Sequence, residues 1–239
     1  MAPLPESGTQ EQQIYEQVVL AMVEQRLPPG MRLPEQRLSA LYGVSRERMR
    51  RVLLRLSEAG YLELVPNVGA RVWQPGPSEV AEIFQARRVI EAQLVRDACT
   101  HWTPADGLRL RQNLAEEARA LSRRDRSASI RLSGEFHLTL AGADANRLLL
   151  GFLRELIARS SLALMLYAVP DAPACPNHDH SELLRAVEAQ DADQAAALLD
   201  EHLRDLEEQL DIGAAQRRHP ATLRLETALA VHGEHSQPA

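Results

Sequence analysis

Three histidines in the second half of this 239-residue chain lie on apolar helical faces, where core residues would be expected. His137, His180 and His202 each recur with aliphatic side chains at the three- and four-residue spacing of a helix. Three imidazoles that point into one helical bundle can gather around a divalent metal and leave coordination positions open for water or a ligand. The alternative is that each is a hydrogen-bonded histidine of the core or its boundary.

Two arginines also lie on apolar helical stripes. Arg87 shares its stripe with isoleucine and leucine residues, and Arg159 lies among phenylalanine, leucine and alanine residues at helical spacing. A buried guanidinium group requires an anion. That anion is either internal, Glu91 for Arg87 and Glu155 for Arg159, or it is a carboxylate effector held by a bidentate fork. The sequence leaves both alternatives open.

A basic stretch stands out in a chain that is acidic overall. Residues 32–71 contain eight arginines and four glutamates, a local net charge of +4, whereas the whole chain carries −6. This excess of positive charge indicates contact with nucleic-acid phosphates. Arg46 and Arg50 lie one helical turn apart, where guanidinium groups can pair bidentately with guanine in the major groove. Ser45 offers a hydroxyl and a helix N-terminus to a phosphate.

The residues around these arginines predict two helices followed by a β-hairpin. The first helix spans 35–42, and the second begins after Ser45, a good N-cap residue, and runs to about residue 59. Two strand-like runs, 61–65 and 70–73, flank a turn of proline, asparagine, valine and glycine. Helix, turn, helix and hairpin in this order predict a winged helix-turn-helix. The alternative is a solvated, arginine-rich helix in an interaction domain.

The chain after residue 78 shows helical patterns and no convincing strand. Six patterns run over residues 79–100, 104–122, 127–143, 146–168, 177–190 and 191–212, and a short seventh is possible at 221–231. We therefore expect a mainly α protein in which an N-terminal winged helix-turn-helix precedes a C-terminal all-α bundle of six to seven helices.

The stretch at about residues 10–75 resembles the N-terminal domain of GntR-family transcriptional regulators. The resemblance rests on the Pro29-Gly30 turn, the Leu33-x-Glu35-x-x-Leu38 run, the Gly43-Val44-Ser45-Arg46 segment and the wing glycine Gly69. It implies that Arg46 and Arg50 contact bases and that the wing tip enters the minor groove. The residues expected to contact DNA are Arg32, Gln36, Ser45, Arg46, Arg50, Asn67 and Gly69. One departure is Arg51, where a glutamate is usual, and this can alter operator preference but not the fold.

The second half of the chain resembles the FCD ligand-binding domain of the FadR-type subgroup of GntR regulators. The motifs are Glu135-Phe136-His137, Asn146 nine residues later, His180, and His202 in a helix that ends EHLRDLEEQL, with histidine separations of 43 and 22 residues. The resemblance implies that the three histidines bind a divalent metal (zinc, nickel or manganese) and that Arg87 faces an effector cavity. The residues expected to contact the effector are Arg87, Ser133, Asn146 and Arg159.

One position departs from the metal-binding pattern of that domain. In many members an aspartate ligand precedes the first histidine by four residues, whereas this chain has Ser133 there. Serine is a poor metal ligand, so the site either holds metal weakly, uses water in place of the carboxylate, or recruits Glu135, His178 or Asp179. Glu135 is two residues from His137 and so faces away from it on an ideal helix.

The two resemblances together predict the organisation and partners of the protein. The expected segments are a DNA-binding winged helix-turn-helix at 10–74, a linker at 75–78, an effector-binding and dimerisation domain at 79–212 and a polar tail at 213–239. We expect a homodimeric repressor that binds a palindromic double-stranded DNA operator, with an affinity modulated by a small carboxylate effector.

Composition and cysteine usage predict a cytoplasmic protein that does not enter membranes. The chain has no run of roughly eighteen apolar residues and no visible secretory signal. Its two cysteines, Cys99 and Cys175, form no disulfide framework and fit a reducing compartment.

Two other functions fit parts of the same pattern. In the first, the protein binds DNA and its helical bundle only dimerises, so that no small molecule changes DNA affinity. In the second, the three histidines activate water in a metallohydrolase. The sequence contains no nucleophile elbow, glycine-rich phosphate loop or HExxH motif. We therefore expect a regulator and not an enzyme.

Overall fold

The computed structural model describes residues 10–65, 69–142, 146–167, 177–211 and 225–229. These residues are mainly helical and include one small antiparallel sheet, which confirms the predicted fold class. They fall into two compact units. The first lies within residues 1–22, 26–73 and 219–239, and the second lies within 23–25 and 74–218.

The first unit contains the helix-turn-helix and its hairpin. Its elements up to residue 73 are α1 (Gln10–Val23), β1 (Arg32–Leu33), α2 (Glu35–Tyr42), α3 (Arg46–Glu58), β2 (Leu62–Val65) and β3 (Gly69–Val72). The strand order is β1-β3-β2, and both pairs are antiparallel. The hairpin strands lie within one residue of the predicted runs. The sequence did not predict β1, because two residues are too few to show an alternating pattern.

The position of α3 follows from its caps and its apolar face. Gly43 adopts a left-handed conformation, with φ of 62°, and ends α2. The Ser45 hydroxyl accepts a hydrogen bond from the backbone N–H of Arg48 at 3.3 Å, as expected of an N-cap. The buried face of α3 consists of Met49, Val52, Leu53 and Leu56. The arginines of α3 therefore lie on its remaining sides.

The second unit is a helical bundle. Its helices are α4 (Pro77–His101), α5 (Pro104–Ser122), α6 (Arg126–Leu140), α7 (Arg147–Tyr167), α8 (Asn177–Glu188) and α9 (Ala192–Glu208). The long helix α4 packs against both α7 and α9. Phe84, Leu110, Phe136 and Leu203 are fully buried in one shared core, which fixes the faces of α4, α5, α6 and α9.

Two segments differ from the expected domain boundaries. Helix α4 begins at Pro77, inside the expected linker, because proline is favoured in a first helical turn and the Glu79 carboxylate accepts a hydrogen bond from the N–H of Gly76 at 2.7 Å. Within the expected tail, Leu225–Leu229 forms a short helix, α10, which lies inside the possible seventh helical pattern at 221–231 and belongs to the first unit.

Candidate functional site

The structure brings the three predicted histidines together in the second unit. His137 lies on α6, His180 on α8 and His202 on α9, and all three side chains are buried. One ring nitrogen from each residue lies within 4.8 Å of those of the other two. The ring centroids are 4.8–5.4 Å apart. The consecutive helices α8 and α9 and the more distant helix α6 therefore present imidazoles to one point.

Two contacts hold this cluster in place. The ring of Phe136 stacks on that of His180, with centroids 4.2 Å apart and planes 16° from parallel. Gly134 lies one turn before His137, and a Cβ added there would come within 2.9 Å of the Ile157 Cγ2 atom. Only glycine therefore lets α6 approach α7 this closely beside the histidines.

Two buried carboxylates lie next to the histidines. The Glu91 Oε2 atom is 2.6 Å from His137 Nδ1, and the Glu117 Oε2 atom is 3.1 Å from His180 Nδ1. A carboxylate on Nδ1 fixes the ring orientation and leaves Nε2 as the nitrogen that can bind a metal. Sequence reasoning considered Glu91 only as a partner of Arg87, and it missed Glu117. The available signal was that Glu117 follows Leu110 and Leu114 on the buried stripe of α5.

The electrostatics favour an uncharged imidazole at His137. Burial lowers the pKa of His137 to about 3, although the nearby Glu91 carboxylate opposes this shift. Burial is the largest influence on Glu91 and by itself would raise its pKa, but Arg87 and His137 together outweigh burial and hold that pKa at about 2. At neutral pH the pair is therefore a neutral imidazole beside a carboxylate. A neutral imidazole is the form that binds metals.

The hydrogen bonding of His137 is incomplete in a way that suits a metal ligand. Among the described residues, His137 Nε2 has no hydrogen-bond partner, whereas Nδ1 lies 2.6 Å from the Glu91 carboxylate. A buried polar atom without a partner costs free energy, which a bound cation would recover. Three imidazoles that converge on one point form a donor set that suits a divalent transition metal.

A small cavity adjoins the histidine cluster. Its volume is about 20 Å³, which is room for about one water molecule. Its polar lining is Arg87, Ser133, His137, Ser160 and Ser161, and the rest of the wall is aliphatic and Gly134. Two of the four residues expected at an effector, Arg87 and Ser133, thus line the same cavity as a histidine of the cluster.

Arg87 has the internal partner that was one of its two alternatives. Its Nε donates to Glu91 Oε1 at 2.7 Å, and its Nη1 donates to the Ser160 hydroxyl at 3.1 Å. Within the described part of the chain, no partner contacts its Nη2. The Nη2 edge of the guanidinium group therefore remains available to a second anion.

The structure does not place the other two expected effector residues in this cavity. Asn146 accepts hydrogen bonds from the N–H groups of Leu148 and Leu149, at 3.0 and 3.4 Å, and so satisfies the first turn of α7. Arg159 is half-buried and does not line the cavity. Its stripe includes Phe152, which is 53% exposed, because α7 buries the neighbouring stripe.

The three substitutes considered for the missing aspartate ligand divide into two groups. Glu135 is exposed and accepts a hydrogen bond from Arg131 at 2.8 Å, so it faces away from the cluster as expected. The side chains of His178 and Asp179 lie outside the described residues.

In the first unit, those residues expected to contact DNA that the structure describes are exposed. Arg46 and Arg50 lie on the exposed side of α3, and neither has an ion-pair or hydrogen-bond partner among the described residues. Arg32 in β1 and Gln36 in α2 are exposed too, as is Ser45. Gly69 has φ of 97°, which favours glycine, and an added Cβ would meet nothing within 4 Å. Asn67 lies outside the described residues.

Two family models match the chain. The model described as "FCD domain" matches residues 82–205, about half of the chain, and the model described as "Bacterial regulatory proteins, gntR family" matches residues 10–72. The chain belongs to the GntR family and carries an FCD domain. Members of this family are transcriptional regulators and not enzymes, so the metallohydrolase alternative is not supported.

Relatives of this GntR-family chain are named as transcriptional regulators. It is 25% identical over 198 residues to the HTH-type transcriptional repressor RspR of Escherichia coli (strain K12), an alignment that covers 82% of this chain and 87% of that protein. It is 29% identical over 198 residues to the HTH-type transcriptional repressor NanR of Edwardsiella tarda (strain FL6-60), which covers 73% and 75%. Both of these relatives are named as repressors.

Solved structures share the fold. Escherichia coli McbR/YncC superimposes with a TM-score of 0.75 at 24% identity, over 82% of this chain and 94% of that one. A putative GntR transcriptional regulator from Rhodococcus sp. RHA1 gives a TM-score of 0.72 at 23% identity, over 83% and 96%. Among the described helices, none combines the length and apolar composition that a membrane-spanning segment requires.

Proposed function

We propose that this regulator is a repressor whose dimer binds a palindromic operator through α3 and the wing, and whose FCD domain senses a small carboxylate effector through a bound metal. The observation that carries the proposal is the convergence of three buried imidazoles within 4.8 Å, beside the buried guanidinium group of Arg87. A histidine cluster of this kind has no structural necessity in an apolar core.

The metal would be held by the three histidines. Glu117 supports this assignment because it occupies Nδ1 of His180 and so leaves Nε2 for the metal. A divalent metal held by His137, His180 and His202 supplies an open coordination position for a carboxylate oxygen. Ser133 lines the adjoining cavity and leaves more of the coordination sphere open than an aspartate would.

Arg87 would provide the second contact to a carboxylate effector. Its Nη2 has no partner within the described residues, and a planar guanidinium group suits bidentate carboxylate binding. A cavity of about 20 Å³ is too small for an organic acid, so binding requires α6 and α7 to separate at Ser133, Ser160 and Ser161. An effector that binds only the widened bundle shifts the conformational equilibrium, and this shift would change operator affinity.

Exposed apolar side chains support a homodimer. Val89 on α4 is 69% exposed, and Leu148 and Phe152 on α7 are 73% and 53% exposed. Helices α4 and α7 pack against each other through Leu94, Leu153 and their neighbours. A second copy of the chain would cover this surface, and two DNA-binding units would then match the two halves of a palindrome.

Substitution of Arg50 tests the DNA-binding part of the proposal. A duplex selected by the wild-type protein from a random-sequence library serves as the operator, and binding is measured by fluorescence anisotropy. Arg50→Ala should weaken operator binding by about 1–3 kcal/mol, the value of one base contact in the major groove. The control is Arg119→Ala, which removes an exposed arginine from α5 in the other unit. Normal operator affinity in Arg50→Ala would refute the assignment of α3.

One observation favours a second candidate, a DNA-binding protein whose helical domain only dimerises. Arg87 already has Glu91 and Ser160 as partners, and the cavity is small. In that case neither zinc or nickel nor a panel of mono-, di- and tricarboxylates would change operator affinity. A change in affinity that disappears in His202→Ala would favour the effector-binding function.

A further inference from the structure

The five arginines of α3 form two groups on opposite flanks of its buried face. Arg46 and Arg50 form one group, and Arg48, Arg51 and Arg55 form the other. At 3.6 residues per turn, the centres of the two groups are roughly 150° apart around the helix axis. An α-helix that lies in the major groove has a phosphate wall on each flank. Both arginine groups could therefore contact phosphates.

Side chains of α1 contact all three arginines of the second group. Arg48 Nη1 donates to Gln10 Oε1 at 3.1 Å, and Arg55 Nη2 donates to the side-chain oxygen of Gln12 at 2.9 Å. The Arg55 guanidinium group also lies 4.7 Å from the centre of the Tyr15 ring. Three consecutive turns of α3 thus lie against α1.

Glu11 is the only acidic residue of the first turn of α1, and it contacts two of these arginines. Its Oε1 accepts a hydrogen bond from Arg51 Nη2 at 2.6 Å and lies 3.4 Å from Arg48 Nε. The hydrogen bond from Arg51 lowers the pKa of the Glu11 carboxyl, so the carboxylate is charged at neutral pH. Glu47 on α3 also contacts Arg51, at 3.1 Å. Arg51 is therefore held between two carboxylates.

We infer that Glu11 is a specificity-determining residue that holds Arg48 and Arg51 away from DNA phosphates. Arg46 and Arg50 have no partner among the described residues and are free to contact DNA, whereas Arg48 and Arg51 on the opposite flank of α3 contact Glu11 within the domain. Phosphate contacts strengthen binding to every sequence, whereas base contacts discriminate between sequences. Restraining two arginines lowers affinity for non-operator DNA and so increases the ratio of specific to non-specific binding.

This inference rests on the proposed DNA-binding function, and Glu11→Gln tests it separately. The substitution keeps the shape of the side chain but removes its charge, so both arginines become available to phosphates. Affinity for a random-sequence duplex should rise several-fold, and the ratio of operator to random-duplex affinity should fall. The slope of log affinity against log salt concentration should steepen by about 0.9 for each arginine that gains a phosphate contact.

Two further variants make the result specific to the contact. Glu16→Gln removes an equal charge from α1, but Glu16 contacts Gln12 and no arginine of α3. It should therefore leave the salt slope at the wild-type value. The double variant Glu11→Gln/Arg51→Ala should reverse at least part of the steepening, because it removes one of the released arginines.

The outcomes separate this inference from the proposed function. If Glu11→Gln and Glu16→Gln have the same salt slope and the same random-duplex affinity, the restraint by Glu11 is refuted. If Glu11→Gln weakens operator and random binding equally, Glu11 only supports the fold of the domain, and the inference is also refuted. If instead Arg50→Ala binds its operator normally, the assignment of α3 fails, whatever the result for Glu11.

Discussion

His180 and Glu117 form one of two histidine–carboxylate pairs in the buried site. Both side chains are fully buried, and Glu117 comes from α5, a helix that contributes no histidine to the cluster. The second pair joins His137 to Glu91, which also binds Arg87. The Nδ1 atoms of His137 and His180 therefore each lie next to a carboxylate oxygen, and these contacts orient the two rings before any metal binds.

Glu117→Gln should weaken metal binding by about 10- to 100-fold, the usual effect of losing a carboxylate that supports a metal-binding histidine. The cause is that a neutral amide makes the His180 ring a weaker ligand and no longer fixes its tautomer. Affinity is measured by competition with a chromophoric zinc chelator. The control is Glu116→Gln, which neutralises the adjacent exposed residue of α5. Equal zinc affinities for the two variants would show that Glu117 has no part in the site.

Residue types and spacing predicted that the three histidines point into the helical bundle, because an imidazole at helical spacing among aliphatic residues is visible in a single sequence. They did not predict the partners. Glu117 was not considered, because its role depends on α5 lying beside α8, which no local pattern encodes. Arg159 was expected on a buried stripe, but α7 is apolar on two adjacent faces, and composition alone does not show which of them faces the core.

At the scale of elements, the site depends on the close approach of α6 and α7. Gly134 lies on the face of α6 that meets Ile157 of α7, next to the cavity lined by Ser133 and His137. Glycine is unfavourable in a helix interior. Its presence at this position is explained by packing, because the added Cβ would come within 2.9 Å of a buried side chain.

Two glycine-to-alanine substitutions should have opposite effects on stability. Gly134→Ala should destabilise the protein by about 1 kcal/mol, because an overpacking cost of about 1–3 kcal/mol exceeds the gain in helix propensity. Gly151→Ala, in α7, should stabilise it by about 0.5–1 kcal/mol, because an added Cβ there meets nothing within 4 Å. Urea unfolding followed by circular dichroism measures both. Stabilisation by Gly134→Ala would show that the α6–α7 contact is looser than described.

Element boundaries were largely predictable where capping residues mark them. Ser45 and Gly43 define the limits of α2 and α3, and the predicted 104–122 agrees with α5 (Pro104–Ser122) because Thr103 and Asp106 form a capping box. The two-residue strand β1 was missed, since its existence depends on pairing with β3 and not on its own sequence.

At the scale of the whole molecule, charge is distributed unevenly along the chain. The chain carries −6, and residues 32–71 carry +4. Counting charge within that window overstated the free basic surface of α3, because Glu11 in α1 lies outside the window and contacts Arg48 and Arg51. Charge read from sequence locates a DNA-binding domain, but only the fold shows which arginines are available to DNA.

We propose that the first unit binds DNA and that the second senses the effector through a metal. The metal is the central claim, because Ser133 replaces a usual ligand and because the effector would bind through the metal. The direct measurement is elemental mass spectrometry on three purified proteins after incubation with zinc, nickel or manganese and removal of unbound metal.

We expect near-stoichiometric metal in the wild-type protein, loss of that metal in His137→Ala, and full retention in His101→Ala, which removes an exposed histidine from α4. His137 is buried in the cluster, so its loss leaves two imidazoles and a gap in the coordination sphere. Absence of all three metals from the wild-type protein, or equal metal content in the two variants, would contradict the metal-dependent function.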